Sequence, residues 1–522
     1  LLVAVSLGGG HSAPAQESSP ARRTDGPDLL IVAPDAFRDA AQPLIARRRS
    51  EGLAVEVIPS AAAADRLRDQ IRQAAVPGKT RFILLLGDCG LGRSNGATDT
   101  AWEVPTLHRP AAVTAAWGTT ERLPGDTFYG DFDQDGRPDA VVGRIPVDTP
   151  AQLSAYITRL VAYEDSNDFG PWRQRVALTA GVGGFGFLAD AAIESVTRSM
   201  ITGSLPAWTR THVTYASPTS PFNPGLEQFR ESVLEQYAKG ARFWVYAGHG
   251  WVTELDRVPP TPEGRPVLSV DDLDQLRLQG TPPPIALLLA CYTGAFDAKE
   301  DCLAENMLLA KNGPIAVLAG SRVTLPYGNA AVAGGLIQAV YEQRAPRLGD
   351  AWLASLQEMA TASDAQPELA KRRAVIDTLA SLISPTAADL PGERREHMQL
   401  YNLLGDPTLR LRHPEPLAVE APGKAAEGSE ITIRGKLPFA GTLSLAVHRG
   451  VGNVPAGTAA ERRYHRANET LVTQVQLSLP AGEFATTVSI PAGTTGTLHV
   501  AAQLKNADRW AVGADRVLVY TR

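Results

Sequence analysis

Phe243-Trp244-Val245-Tyr246-Ala247-Gly248-His249-Gly250 is the stretch on which the reading of this chain turns. Its apolar and aromatic residues run on without alternating, as in a strand buried on both faces, and the run stops at a histidine between two glycines. A second run, Pro284-Ile285-Ala286-Leu287-Leu288-Leu289-Ala290-Cys291, has the same texture and ends in a cysteine. Open α/β sheets collect their functional groups just beyond the carboxyl ends of such strands. A thiol and an imidazole delivered there make a nucleophile and its base, so Cys291 and His249 are the expected catalytic pair. The glycines beside His249 permit close backbone approach, and the N–H groups of Gly250 and Cys291 are the expected oxyanion hole.

Upstream of this stretch, apolar runs and helix-spaced segments alternate. Strands are expected at Leu29–Val32, Leu53–Ile58 and Phe82–Leu86, with helices over Asp35–Arg49 and near Ala62–Ala75, which means βαβ units and a mainly parallel sheet. Cys89 also follows a buried run and is a rival nucleophile, but no histidine-bearing strand end lies near it in sequence. Asp131, Asp133, Asp135 and Asp139, with Gly136 at the turn and Arg137 at the position that offers a backbone carbonyl, match the first part of a calcium loop. Position 12 of that loop is Val142 rather than glutamate, so the match to an EF-hand is incomplete. A helix is expected over Thr149–Tyr163, a seam at Asp165–Pro171, and then the alternation resumes: strand Val176–Thr179, helix Ala189–Met200, strand Thr211–Tyr215, helix Leu226–Tyr237.

Downstream, a helix over Leu303–Lys311 and a strand at Ile315–Leu318 are followed by a largely helical region from Ala330 to Tyr401, and Asn402–Pro407 is expected to turn the chain into Thr408–Leu411. Past Pro414 the pattern changes to period-two runs such as Glu430–Arg434 and Thr442–Val447, separated by Gly/Pro turns, which predicts a β-sandwich. With 50 Lys and Arg against 56 Asp and Glu, and no basic cluster, the chain has no nucleic-acid footprint. No apolar run is long enough to span a bilayer. Leu1–Gly10 reads as the tail of a signal-peptide apolar region, followed by small residues from Ser12 to Ala15, so a secreted or cell-surface protein is expected. Its 3 cysteines are too few for a disulfide framework and leave a free thiol to account for.

Tyr246-Ala247-Gly248-His249-Gly250 and Leu288-Leu289-Ala290-Cys291-Tyr292-Thr293-Gly294 resemble the catalytic blocks of the gingipain peptidases, in the clan that includes caspases and legumain. Asp301-Cys302-Leu303-Ala304-Glu305, Phe82 to Asp88, Tyr129 to Arg144 and Leu403 to Leu411 resemble further blocks of that family. The resemblance implies a caspase-like parallel-sheet catalytic domain in two subdomains, endopeptidase action on protein or peptide substrates, structural calcium and no organic cofactor. It also implies an immunoglobulin-like terminal sandwich. The acidic residue that assists the histidine in gingipains has no counterpart in Gly181-Val182-Gly183-Gly184, and Gly294-Ala295-Phe296 stands where gingipains have Gly-Asp-Phe. Asp190 and Tyr327 are the candidates for the substrate pocket. The expected layout is therefore a leader and flexible segment over 1–27, an N-terminal α/β subdomain over 28–168, a catalytic α/β subdomain over 169–413 and a β-sandwich over 414–522. A sortase-like transpeptidase using the same thioester, and a catalytically silent surface-binding protein, are the competing functions.

Overall fold

Apolar runs that do not alternate need cover on both faces, and the computed structural model supplies it. The structure describes residues 26–89, 102–183, 205–362, 365–455 and 457–521. The expected leader, the helix Ala189–Met200 and Asp190 lie outside them. The strands of the main sheet are β1 (Leu29–Val32), β2 (Val55–Ile58), β3 (Phe82–Leu86), β4 (Val141–Ile145), β5 (Arg175–Ala180), β6 (Arg210–Tyr215), β7 (Phe243–Ala247), β8 (Ile285–Leu289), β9 (Ala316–Gly320) and β10 (Tyr401–Leu404). They form one sheet in the order β2-β1-β3-β4-β10-β9-β8-β7-β5-β6. Leu29, Ile31, Phe82, Leu84 and Leu86 face one apolar cluster, with Ala41, Leu44 and Ile45 of the helix Arg38–Ser50. Leu30, Val32, Ile83 and Leu85 face the other, with Leu67 and Ile71 of the helix Ala64–Ala74.

The chain segment at 401–404 corrects the sequence reading. It is not a turn but strand β10, parallel to β4 and antiparallel to β9, and the turn begins only at Gly405. All other pairings in the sheet are parallel. The strands of the second half therefore run opposite to those of the first, and β10 joins the halves into one sheet. Beyond that turn, Arg410 forms an isolated bridge with Arg347.

Beneath this join lies a buried ionic cluster. The Arg48 guanidinium, with no exposed surface, donates to Glu164 Oε2 at 2.8 Å and to Asp406 Oδ2 at 2.8 Å, and also meets Glu51 at 3.0 Å. It ties the first helix, the helix Pro150–Asp165 before the seam and the turn after β10 together. Burial opposes the charge, but Asp406 and Glu164 hold the guanidinium above its usual pKa.

The last hundred residues form a β domain of two sheets. Glu430–Leu437 and Gly482–Ser489 pair in the smaller one, and Gly441–Arg449, Gly496–Lys505 and Trp510–Tyr520 are in the larger. Ile431, Ile433, Leu443, Leu445, Val500 and Leu504 fill the space between them. This domain docks on the catalytic sheet at its edge strand β6. Asn468, ending the helix Ala460–Asn468, accepts from the Val213 N–H at 2.8 Å and donates to the Val213 carbonyl at 2.9 Å. Tyr464 Oη lies 2.9 Å from His212 Nε2 and 3.0 Å from Thr214 Oγ1. Among the described residues, no helix is long and apolar enough to cross a membrane.

Candidate active site

β7 and β8 are neighbours in the sheet, paired with Leu289 opposite Ala247. His249 and Cys291 thus each stand two residues beyond the last paired position, at the same edge. Gly248 N–H donates to Leu289 O at 3.3 Å, which keeps the two segments together past the strands. At Gly250 a Cβ would come within 2.8 Å of the Cys291 carbonyl oxygen and 2.6 Å of Thr293 Cγ2, so the chain after His249 lies directly against the chain after Cys291 and needs glycine there. Cys89 follows β3, whose carboxyl end lies at the opposite edge from those of β7 and β8, and its Sγ donates to Phe296 O at 3.4 Å.

The Cys291 sulfur accepts from the Thr324 N–H at 3.3 Å. Burial pushes the thiol above its usual pKa, and Thr324 works against that. For Cys89 burial pushes the thiol well up, Arg144 opposes, and Asp88, Asp126 and Glu305 add to the rise. Among the described residues, Cys291 is the strand-end thiol with a backbone N–H aimed at its sulfur, the feature that favours a thiolate. Tyr292, directly after it, has φ of 57°, a left-handed conformation that a bulky residue adopts at a cost. Its N–H donates to Arg322 O at 3.1 Å, and that bond fixes the turn.

The loop beyond is held by a second buried cluster that the sequence did not disclose. Arg322 donates from Nη1 and Nη2 to Asp297 at 2.9 and 2.6 Å, and His108 Nε2 lies 3.0 Å from the same carboxylate. Against the upward pull of burial, His108 and Arg322 bring Asp297 down to about 2. Cys302, in a block that resembles the family, caps the helix Leu303–Leu309, and its N–H donates to Glu305 at 2.7 Å. It is fully buried, so its role is structural.

Sequence reasoning also missed Asp256. After His249 the chain folds back, with Trp251 N–H donating to Glu254 O and Leu255 N–H to Leu268 O, and this return brings Asp256 under the histidine. Its Oδ2 accepts from the His249 N–H at 3.1 Å and the Val182 N–H at 3.1 Å, and lies 3.0 Å from Tyr246 Oη. The signal lay in the glycines: a Cβ at Gly181 would lie 1.9 Å from this oxygen, and one at Gly248 would lie 2.8 Å from it.

Of the substrate-pocket candidates, Asp190 lies outside the described residues. Tyr327 is 4 % exposed, with its hydroxyl donating to Asp377 at 2.7 Å and accepting from Arg394, so it offers substrate almost no surface. In the aspartate loop, carboxylate oxygens of Asp131, Asp133 and Asp139 all lie within 4.8 Å of one another. Asp131 Oδ1 is buried without a hydrogen-bond partner among the described residues. Asp135 instead accepts from the Arg137 N–H at 2.7 Å, and the Arg137 side chain reaches Thr361.

The comparisons show the class of protein that carries this site, a cysteine-type peptidase. The model of peptidase family C25 matches residues 22–412, and the chain belongs to that family. The crystal structure of the Arg-specific cysteine proteinase gingipain R superposes with a TM-score of 0.53 at 14% identity, covering 96% of this chain and 100% of that one. The complex of pro- and mature domains of RgpB from Porphyromonas gingivalis gives 0.52 at 14% identity, with 94% and 100% covered. At that identity the likeness shows a shared fold. No curated protein matches the chain in sequence.

Proposed function

We propose that the chain is a secreted or cell-surface endopeptidase working through Cys291 and His249. The observation that carries this is the pairing of β7 with β8, which sets both side chains two residues past the Leu289–Ala247 pair. The imidazole takes the thiol proton as sulfur attacks the scissile carbonyl carbon. The N–H groups of Gly250 and Cys291 receive the oxyanion, a role supported by the contact between these two backbones. Collapse expels the amine, which leaves with the imidazolium proton, and an acyl thioester remains. Water then attacks the thioester, giving its proton to the imidazole, and releases the carboxylic acid and the thiol. The substrates are proteins or peptides. Export is supported by the apolar Leu1–Gly10 and the small residues after it. Cleavage of a peptide library, with Cys291→Ala as control, tests the reading; products ending in free carboxylates are expected, and amine-capped acyl products alone would make the enzyme a transferase.

Calcium is the second element of the proposal. Asp131, Asp133 and Asp139 would hold the ion, with Asp131 Oδ1 as the buried atom in need of a partner. Bound only to the native state, at a hundredfold excess over its Kd, it adds about 2.7 kcal/mol. Excess EGTA should therefore lower the melting temperature, and an unchanged melt would remove the ion from the proposal. Burial pushes Asp131 and Asp139 above the usual carboxylate range, so without calcium the pair costs stability as pH rises through that range. The EGTA effect should accordingly grow from acid toward neutral pH.

A further inference from the structure

We propose that Asp256 is the positioning carboxylate of the Cys291–His249 pair. It holds the histidine turn in place and supplies the fixed negative charge against which the imidazole becomes cationic. The inference rests on the peptidase reading above.

Three observations carry it. The Asp256 oxygen accepts from the backbone of His249 itself, so the carboxylate fixes where the imidazole starts from. The same oxygen takes the Val182 N–H from the end of β5, which locks the turn to the neighbouring strand. The space is kept for it: Gly181 and Gly248 both lack the Cβ that would collide with this oxygen. Tyr246 completes the cradle, with its hydroxyl 3.0 Å from Asp256 Oδ2 and 2.9 Å from the His249 carbonyl, and it accepts from the Asp256 N–H at 3.2 Å.

Among the described residues, the titratable groups facing the carboxylate are Tyr246 from β7 and His249 from the turn. Val182 contributes only its backbone, and Glu254 and Arg257 pair with each other at 2.8 Å. Burial holds the Asp256 carboxyl above its usual pKa, and the His249 charge works against that, which places the imidazole within electrostatic reach. In a partly buried site, one full charge within about 4–6 Å moves a neighbouring group by roughly one pH unit or more.

The test is Asp256→Asn, which keeps the size and an acceptor oxygen and removes the charge. The rate of Cys291 alkylation by iodoacetamide is followed against pH, alongside kcat/KM for a peptide the wild type cleaves. Without the charge the imidazolium is less stable, so the alkaline limb should move down by about one unit. Loss of a negative charge favours the deprotonated form of every neighbour, so the acid limb should move in the same direction. The value of kcat should fall by about 10- to 100-fold with KM nearly unchanged. Unmoved limbs and an unchanged kcat would leave Asp256 a merely structural residue and overturn the proposal. A second variant guards against misfolding. Asp256→Ala removes the carboxylate that a Cβ at Gly181, a residue outside the left-handed region, would meet at 1.9 Å, leaving the tip of Tyr246, at 2.6 Å, to shift aside. Gly181→Asp in that background returns a carboxylate from the strand end and should restore part of kcat and move both limbs back toward their wild-type positions. A folded double variant without rescue also overturns the proposal. If the wild type cleaves no peptide, the peptidase reading fails, while the alkylation profile still reports whether Asp256 acts on Cys291.

Discussion

Cys291→Ala is expected to abolish peptide cleavage, by about 10⁴-fold or more, while the thermal melt stays close to that of the wild type. The sulfur is the attacking atom, and nothing else at this edge of the sheet can take its place in forming a thioester. The substitution removes one partly buried atom that contacts Thr324, so its structural cost is small. Because burial raises the Cys291 thiol, the group rests protonated near neutral pH and depends on His249 to take the proton. His249→Ala should therefore cost nearly as much, and the two losses should not add, since each alone disables the same step. His249→Ala should also suppress alkylation of Cys291 near neutral pH. Full turnover by Cys291→Ala, with label found on Cys89, would transfer the chemistry to the other strand end.

The largest expected effect on stability comes from Arg48→Ala, at about 3–5 kcal/mol. The guanidinium is fully buried and neutralises Glu164 and Asp406, both also buried. Removing it leaves Asp406 with hydrogen bonds from the Thr408 N–H and hydroxyl but without the cation at 2.8 Å. Glu164 keeps Arg47, which donates at 2.8 Å, so the loss falls mainly on the turn after β10. Denaturant unfolding should show the drop in midpoint. Activity assayed where the variant is still folded should persist, because the cluster touches neither His249 nor Cys291. A loss below about 1 kcal/mol would mean that water reaches the turn and replaces the arginine.

The sequence was most legible where physics is local. Leu29–Val32 and Phe82–Leu86 fall on the predicted residues because runs of β-favouring apolar side chains, bounded by polar ones, have one way to be buried. His249 and Cys291 were readable as a pair for the same reason: each ends such a run. β10 was not readable. Tyr401-Asn402-Leu403-Leu404 directly continues a helix and precedes Gly405, and only the open edges of β4 and β9 make it a strand. Asp256 was hidden for a related reason, since its place depends on a return loop whose path is set by contacts with Leu268 and Tyr246. In the aspartate loop the spacing brought Asp131, Asp133 and Asp139 to one point. Spacing alone could not show that the Arg137 N–H would claim Asp135.

The docking of Asn468 and Tyr464 on β6 has a consequence in time. Asn468, which bonds the Val213 N–H and carbonyl, and Tyr464, which meets the His212 and Thr214 side chains, lie about 250 positions downstream of that edge strand. At ribosomal speeds of roughly 5–20 residues per second, this leaves an interval of about 12–50 seconds in which β6 has emerged and its partner has not. During that interval the sheet offers an unpaired edge, the kind of template on which one nascent chain can recruit another. The final module, once folded, covers that edge at Val213. Chains terminated before it should carry intact catalytic residues and yet accumulate as aggregates, with the fault lying in their assembly rather than in their chemistry.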